Sequence, residues 1–538
     1  MRRRAPRRCI LVLALSCAAV AMLAPRASPS DFVTVEGSRF RLHGGSYHFA
    51  GANCYYLMTW AAEPSLRPFV DEVLEEAALM GMTVVRTWAF NDGDGWNALQ
   101  TAPRVYDEAV FEGLDYVVQK GSTLGLRLVL TLVNNWVDYG GMDQYVTWSP
   151  RAQFHDDFYS DDSTRTWYRG HCSRVVGRVN TFNGLLYRDD PTILAWELAN
   201  EPRCPSDPQG NTLATWITEM SAHIQSLDPN HLVTTGIEGF YDDGHGPWYT
   251  NGSEGVDFLR DHQVTTIDYA TAHSWPDHWG FDFATTMALL SRQLDDASAI
   301  IQKPFVLEEF GKWRDGSLAA HERAHYDPVT YFSPGVTPYD VPGATPLRRG
   351  ETHAPQRYGD GSVPASTATR DFYFQAYCDS LLAHAAGGSS VWILYHDTYP
   401  DYDGFGVYHP ADTSTVAILE AHAAAMTSLS VPTDVSPEIA TAAFTEGGSL
   451  GVPYPNPFNP RVTLRVDGVH EPAFTSVRVY DLRGRLVQTL FSGMLGAGGL
   501  SVSWDGTSRG GAAAPSGAFL VRLDRAGRSA TRRVVLLR

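Results

Sequence analysis

The strongest constraint in this chain is a repeated two-part unit: a short apolar or β-branched run closed by a turn signal, then a stretch of helical periodicity. The runs are Phe49–Asn53, Thr83–Ala89, Leu126–Val133, Ile193–Ala199, Leu232–Gly236, Tyr269–His273, Pro304–Glu309 and Ser390–Leu394. Amphipathic stretches at Phe69–Met80, Glu108–Leu124, Leu213–Leu227, Ala284–Ile301 and Asp371–Ala386 lie between them. Parallel strands need crossover connections of this kind. Eight such strands over about 400 residues predict an α/β fold, a (β/α)8 TIM barrel with insertions. A doubly wound open sheet is the alternative, but no glycine fingerprint follows the first run and no Walker A sequence occurs. Val33–Val35 and Phe40–Leu42 read as a small hairpin capping the bottom of the barrel.

The pattern changes twice. Residues 1–28 start Met-Arg-Arg-Arg-Ala-Pro-Arg-Arg and continue with an apolar run from Cys9 to Ala24. A basic start, a short apolar centre and small residues after it describe a secretory signal peptide, and the run is short for a permanent span. Residues 29–428 hold the barrel. Residues 429–452, with Val-Pro-Thr, Ser-Pro and Gly-Gly, read as a linker. Residues 453–538 read as short alternating strands separated by Asp-Leu-Arg-Gly and Asp-Gly-Thr turns, an immunoglobulin-like β-sandwich. Two connections inside the barrel are long, from Asn134 to about Tyr187 and from Trp313 to about Thr369, and such loops usually build the active face.

Charge narrows the function. The formal net charge is −18, so the chain lacks the cationic surplus that nucleic-acid binding requires. Residues 453–538 differ from the rest, with 12 Arg against five acidic residues. The 14 Trp suit faces that stack on flat apolar surfaces, sugar rings among them. Four cysteines remain beyond the leader, Cys54, Cys172, Cys204 and Cys378, at spacings that match no zinc pattern. Export permits a disulfide. Cys172 and Cys204, both expected in loops, are the preferred pair, and free buried thiols fit equally well.

In a TIM barrel a carboxylate at the C-terminal end of a strand reads as catalytic. Two strands end that way: the fourth, Ile193-Leu-Ala-Trp-Glu-Leu-Ala-Asn-Glu-Pro202, and the seventh, Lys303-Pro-Phe-Val-Leu-Glu-Glu-Phe-Gly311. Two carboxyls facing each other across the mouth suit glycosidic cleavage, one protonating the leaving oxygen and the other attacking the anomeric carbon. Glu308 and Glu309 are neighbours on a strand, so alternation predicts that only one reaches the pocket. His321-Glu-Arg-Ala-His325 is a literal zinc-protease motif, but Asp327-Pro328 ends any helix there and no third ligand stands out. No metal or cofactor is expected.

The motifs Val84-Val-Arg-Thr-Trp88, Leu132-Val-Asn-Asn-Trp136, Arg178-Val-Asn-Thr181, Trp196-Glu-Leu-Ala-Asn-Glu-Pro-Arg-Cys204 and Glu308-Glu-Phe-Gly311 resemble glycoside hydrolase family 5, subfamily 7, the endo-β-1,4-mannanases. The resemblance covers about residues 32–310 and 370–427. It implies a retaining hydrolase acting on β-mannan, with an exo-acting β-mannosidase, a β-1,4-glucanase and a catalytically silent glycan-binding protein as alternatives. It implies Glu201 as acid/base and Glu309 as nucleophile. Arg86 is implied beside the nucleophile, Asn200 at the substrate 2-hydroxyl and His273 as an orienting group. Trp392 is implied as the platform under the cleaved sugar and Trp88 as a further wall. The family often places a tyrosine two residues after that histidine; here Trp275 stands there, keeping an aromatic face and an N–H donor without the hydroxyl.

Tyr454-Pro-Asn-Pro-Phe-Asn-Pro460, Val479-Tyr-Asp-Leu-Arg-Gly-Arg485 and Trp504-Asp-Gly506 resemble sorting domains of type IX secretion in Gram-negative bacteria. That resemblance implies the type IX secretion machinery as a partner, a secreted or cell-surface location, and no integral membrane span once the leader is removed. A carbohydrate-binding module is the rival reading.

Overall fold

The computed structural model describes residues 31–314, 367–396 and 404–430, together with Ser28 and, with short interruptions, 449–536. The leader up to residue 27, the segment 315–366 with its His-Glu-Arg-Ala-His motif, and most of the linker lie outside the described residues. The chain divides into two compact units, Met1–Thr433 and Asp434–Arg538.

The first unit is the expected (β/α)8 barrel. Its strands are Phe49–Asn53, Val84–Trp88, Arg127–Thr131, Ile193–Glu197, Leu232–Thr234, Ala270–Ser274, Phe305–Phe310 and Gly388–Val391. All the ladders are parallel, in the order five, four, three, two, one, eight, seven, six. The ring closes between strands five and six, where the Asp268 amide donates to the Val233 carbonyl at 2.8 Å. These strands are buried throughout, because the barrel interior lies on one face and helices cover the other. Glu108–Leu124 shows why the helices start and stop where they do. Asp107 accepts from the Ala109 amide at the N-terminus, and Gly125 adopts a left-handed φ of 72° at the C-terminus.

Under the barrel, the hairpin gains a third strand and becomes Thr34–Glu36, Arg39–Leu42 and Gly45–Tyr47. Phe40 from this plug packs on Phe49 and Tyr269. The four cysteines are buried and unpaired, and the preferred Cys172–Cys204 bridge is absent. Cys172 belongs to the helix Asp162–Val176, whose polar sequence hides its periodicity, and not to a loop.

The second unit pairs a three-stranded sheet with a four-stranded one, both antiparallel. Val462, Leu464, Val477, Val479, Trp504, Phe519, Val521 and Val534 form its core. The Trp504 and Phe519 rings meet at 4.7 Å, whereas Tyr480 is only half-buried.

Candidate active site

The sequence-selected carboxyls converge. Glu201 lies just beyond the fourth strand and Glu309 lies within the seventh. Glu201, His273 and Glu309 present ligand-type atoms that all lie within 4.8 Å of one another. Those atoms are already directed by neighbouring donors, and we assign no metal to them.

Backbone shape aims Glu201. Its φ is +52°, a left-handed conformation that a residue with a side chain rarely adopts. Its amide donates to the Gly236 carbonyl at 2.9 Å. Gly236 itself has φ +76°, and a Cβ there would sit 1.9 Å from the Ala199 carbonyl oxygen, so only glycine fits. The carboxyl of Glu201 then receives the Trp136 indole N–H at 2.5 Å on Oε2 and faces His273 Nδ1 at 2.7 Å on Oε1.

Glu309 accepts from the Arg86 guanidinium at 2.5 Å on Oε1 and from the Trp275 indole at 3.1 Å on Oε2. His273 Nδ1 is also 3.3 Å from that second oxygen. Trp275 therefore supplies a donor to this carboxyl in place of a tyrosine hydroxyl. Arg86 is fully buried and saturated. It forks onto both oxygens of Glu197 at 2.7 and 2.6 Å and also donates to Asn53 and Asn200. Asn200 passes the order on by donating to Asn134 at 3.0 Å.

Burial dominates the electrostatics. It pushes the Glu309 carboxyl upward, Arg86 works against that, and the facing Glu201 adds to it. Burial, with Arg86 nearby, lowers the His273 imidazole to about 3, so the ring is neutral at working pH. Glu238, also buried and beside Glu201, is raised to about 7 although Arg203 forks onto it.

The three tryptophans form walls. Trp392 is half-buried, stacked on Tyr55 at 5.7 Å and 19°, and edge-on to Trp275. Trp88 lies 4.9 Å from Tyr55 and edge-on to Tyr139, with its indole N–H free of a protein acceptor. All eight residues singled out in the sequence are thus joined by hydrogen bonds or ring contacts, Trp88 through Tyr55.

Strand alternation fails at one point. Ala272 pairs with Leu307, but the next residue, His273, pairs with Glu309. Glu308 is the extra residue of a β-bulge, and bulges re-aim side chains. The expectation that Glu308 and Glu309 face opposite sides does not hold, since both carboxyls approach His273.

The chain was compared with known proteins. Residues 30–394 match the model of the GH family 5 beta-mannosidase-like family. The chain belongs to that family. This family 5 glycoside hydrolase is 45% identical over 309 residues to mannan endo-1,4-beta-mannosidase 1 of Oryza sativa subsp. japonica, covering 54% of this chain and 71% of the rice protein. It is 36% identical over 424 residues to mannan endo-1,4-beta-mannosidase 7 of Arabidopsis thaliana, covering 76% and 88%. Among solved structures, the endo-1,4-beta-D-mannanase of Thermotoga petrophila superposes with a TM-score of 0.56 at 32% identity, over 70% of this chain and 99% of that one. Residues 461–528 match the FlgD Ig-like domain, which agrees with a sandwich. Among the described residues of the family 5 enzyme, no helix is long and apolar enough to cross a membrane.

Trp136, Tyr55, Glu197 and Glu308 are site neighbours that the sequence reading did not select. Trp136 was within a recognised motif, yet nothing local ties it to Glu201.

Proposed function

We propose that this family 5 hydrolase, of the subfamily 7 type, is a retaining endo-β-1,4-mannanase that cleaves internal bonds of mannan, glucomannan or galactomannan by double displacement. The observation that carries this reading is the approach of Glu201 and Glu309 within 4.8 Å, close to the roughly 5 Å separation of retaining enzymes and well short of the roughly 6.5–9.5 Å of inverting ones. Glu309 is the nucleophile: Arg86 and Trp275 direct its charge, and its attack on the anomeric carbon forms a glycosyl-enzyme. Glu201 is the acid/base: it protonates the leaving oxygen, then deprotonates the water that releases the sugar. Asn200 holds the 2-hydroxyl, and Trp392 with Tyr55 and Trp88 gives the sugar an apolar wall.

Product analysis on unbranched mannan tests the reading. Mixed manno-oligosaccharides with an early fall in viscosity are expected, and the first product should keep the β-configuration. Mannose released only from chain ends would replace it with an exo-acting β-mannosidase. Hydrolysis of cellulose alone would replace it with a glucanase. No hydrolysis of any of these glycans would point to a silent binding protein.

Export is the second part of the proposal. The arginine-rich leader and the C-terminal motifs support removal of residues 1–28 and use of residues 453–538 as a type IX sorting domain on a secreted or surface-held enzyme of a Gram-negative bacterium.

A further inference from the structure

The bulged residue Glu308 has no place in that chemistry, yet it lies beneath it. Its side chain is buried, and neither carboxyl oxygen has a hydrogen-bond donor in the protein. His273 Nε2 also lacks a partner, and it lies 3.9 Å from Glu308 Oε2. The other nitrogen of the same ring faces Glu201 and Glu309. Two buried groups without a hydrogen-bond partner thus lie 3.9 Å apart.

The surrounding groups set the charge. Glu308 is faced by Arg86 from the second strand, Glu197 from the fourth, Tyr269 and His273 from the sixth, and its own neighbour Glu309. Arg86 is the one guanidinium among them, and its donors are spent on Glu197, Glu309, Asn53 and Asn200. A carboxylate buried here would be uncompensated, whereas a carboxylic acid has an O–H to give. Burial favours the proton first, and Glu197 favours it next, both by its charge and as a carboxylate near enough to compete with His273 Nε2 for that proton.

A neutral imidazole carries one N–H. If Nε2 held it, Nδ1 would turn a lone pair on the Glu309 carboxylate and draw the proton of the Glu201 acid to itself. If Nδ1 holds it, Nε2 needs a donor, and Glu308 is placed to be that donor. We propose that Glu308 is a positioning residue that keeps a proton and directs it at His273 Nε2, leaving Nδ1–H to bridge Glu201 and Glu309. It acts through His273 and touches no substrate. Deprotonating Glu308 would favour the Nε2–H tautomer and remove the N–H from the catalytic pair.

The inference rests on the acid/base reading of the site, so the first test needs no substrate. In the full-length enzyme labelled with 15N-histidine, His273 should show a protonated Nδ1 and a bare Nε2. A protonated Nε2 overturns the proposal. This result stands whether the glycan proves to be mannan or glucan. The second test uses Glu308→Gln and Glu308→Met on whichever β-glycoside the enzyme turns over. Glutamine removes only a titratable proton, so both limbs of the pH profile of kcat/KM should stay in place. An acid shift of about one unit or more would mean that Glu308 had been charged, and would overturn the proposal. Methionine removes the donor: kcat should fall roughly tenfold with KM little changed, less than the full worth of acid–base catalysis, and glutamine should restore most of it. Equal kcat for the two variants overturns the positioning role. Should the methionine variant fail to fold, the histidine spectrum of the wild type and the glutamine profile still give the answer.

Discussion

The guanidinium of Arg86 and the carboxylate of Glu309 meet at 2.5 Å in a fully buried pair. The same guanidinium forks onto Glu197, so one side chain ties the second, fourth and seventh strands together. Arg86→Lys keeps the charge but not the planar fork. We expect kcat to fall by roughly 10²–10³, the usual loss when a preorganised donor is removed. Because the lysine charge still faces Glu197 and Glu309, the stability lost should be less than the roughly 3–5 kcal/mol that removal of one partner of a buried pair costs. Steady-state kinetics and denaturant unfolding measure the two losses separately.

Glu309→Ala should lose several orders of magnitude in turnover on every substrate, because the covalent route is gone. Glu201→Ala should be far more damaging on mannan than on aryl mannosides with good leaving groups, since only a poor leaving group needs the proton. Equal losses on both substrates would remove Glu201 from the acid role.

Trp275→Phe keeps a ring against Phe405 and Trp392 but deletes the N–H that reaches Glu309. Loss of a donor to the ionised form raises an acid's pKa. The acid limb of kcat/KM should therefore move to higher pH, with a several-fold fall in kcat. A limb that does not move would show that this donor has no hold on Glu309.

Asp92 lies outside the catalytic cluster. It is buried, its Oδ2 has no partner, and burial raises its carboxyl to about 8. In the unfolded chain it ionises near 4. Stability from this group is thus whole below about pH 4 and drains away as pH rises toward 8. Asp92→Asn carries no such penalty. Its unfolding free energy should overtake that of the wild type progressively between pH 4 and 8, by up to a few kcal/mol. A constant difference across that range would contradict the assignment.

Deleting residues 453–538 should leave kcat and KM on soluble mannan unchanged and should change where the enzyme accumulates. Activity assays on periplasmic, surface and culture fractions of the native host, with and without those residues, measure this. Unaltered export of the shortened chain would argue for the carbohydrate-binding alternative.

Much of this was legible in the sequence because period carries it. All eight barrel strands lie within a few residues of the apolar runs that announced them, and Glu108–Leu124 coincides with its amphipathic stretch. The two candidate carboxyls were legible because they lie close to the C-terminal ends of two of those strands. The helix Asp162–Val176 was not, since its many Arg, Ser and Thr residues mask the short stripe of Tyr168, Cys172, Val175 and Val176, which leaves Cys172 to be expected in a loop. The bulge at Glu308 was not legible either: register belongs to a pair of strands, and no single strand records it. The Trp136–Glu201 contact joins residues 65 apart in the chain, a closure that only the finished fold makes.

Glu201 holds its carboxyl in place through a backbone that disfavours most side chains. Evolution therefore meets a double lock at this position. A Val or Ile there would lose the chemistry and also crowd a left-handed turn, while Gly or Asn would relax the turn and silence the enzyme. Descendants of this barrel that abandon hydrolysis for mere sugar binding should carry those two residues most readily, and should melt at higher temperature than their active ancestor.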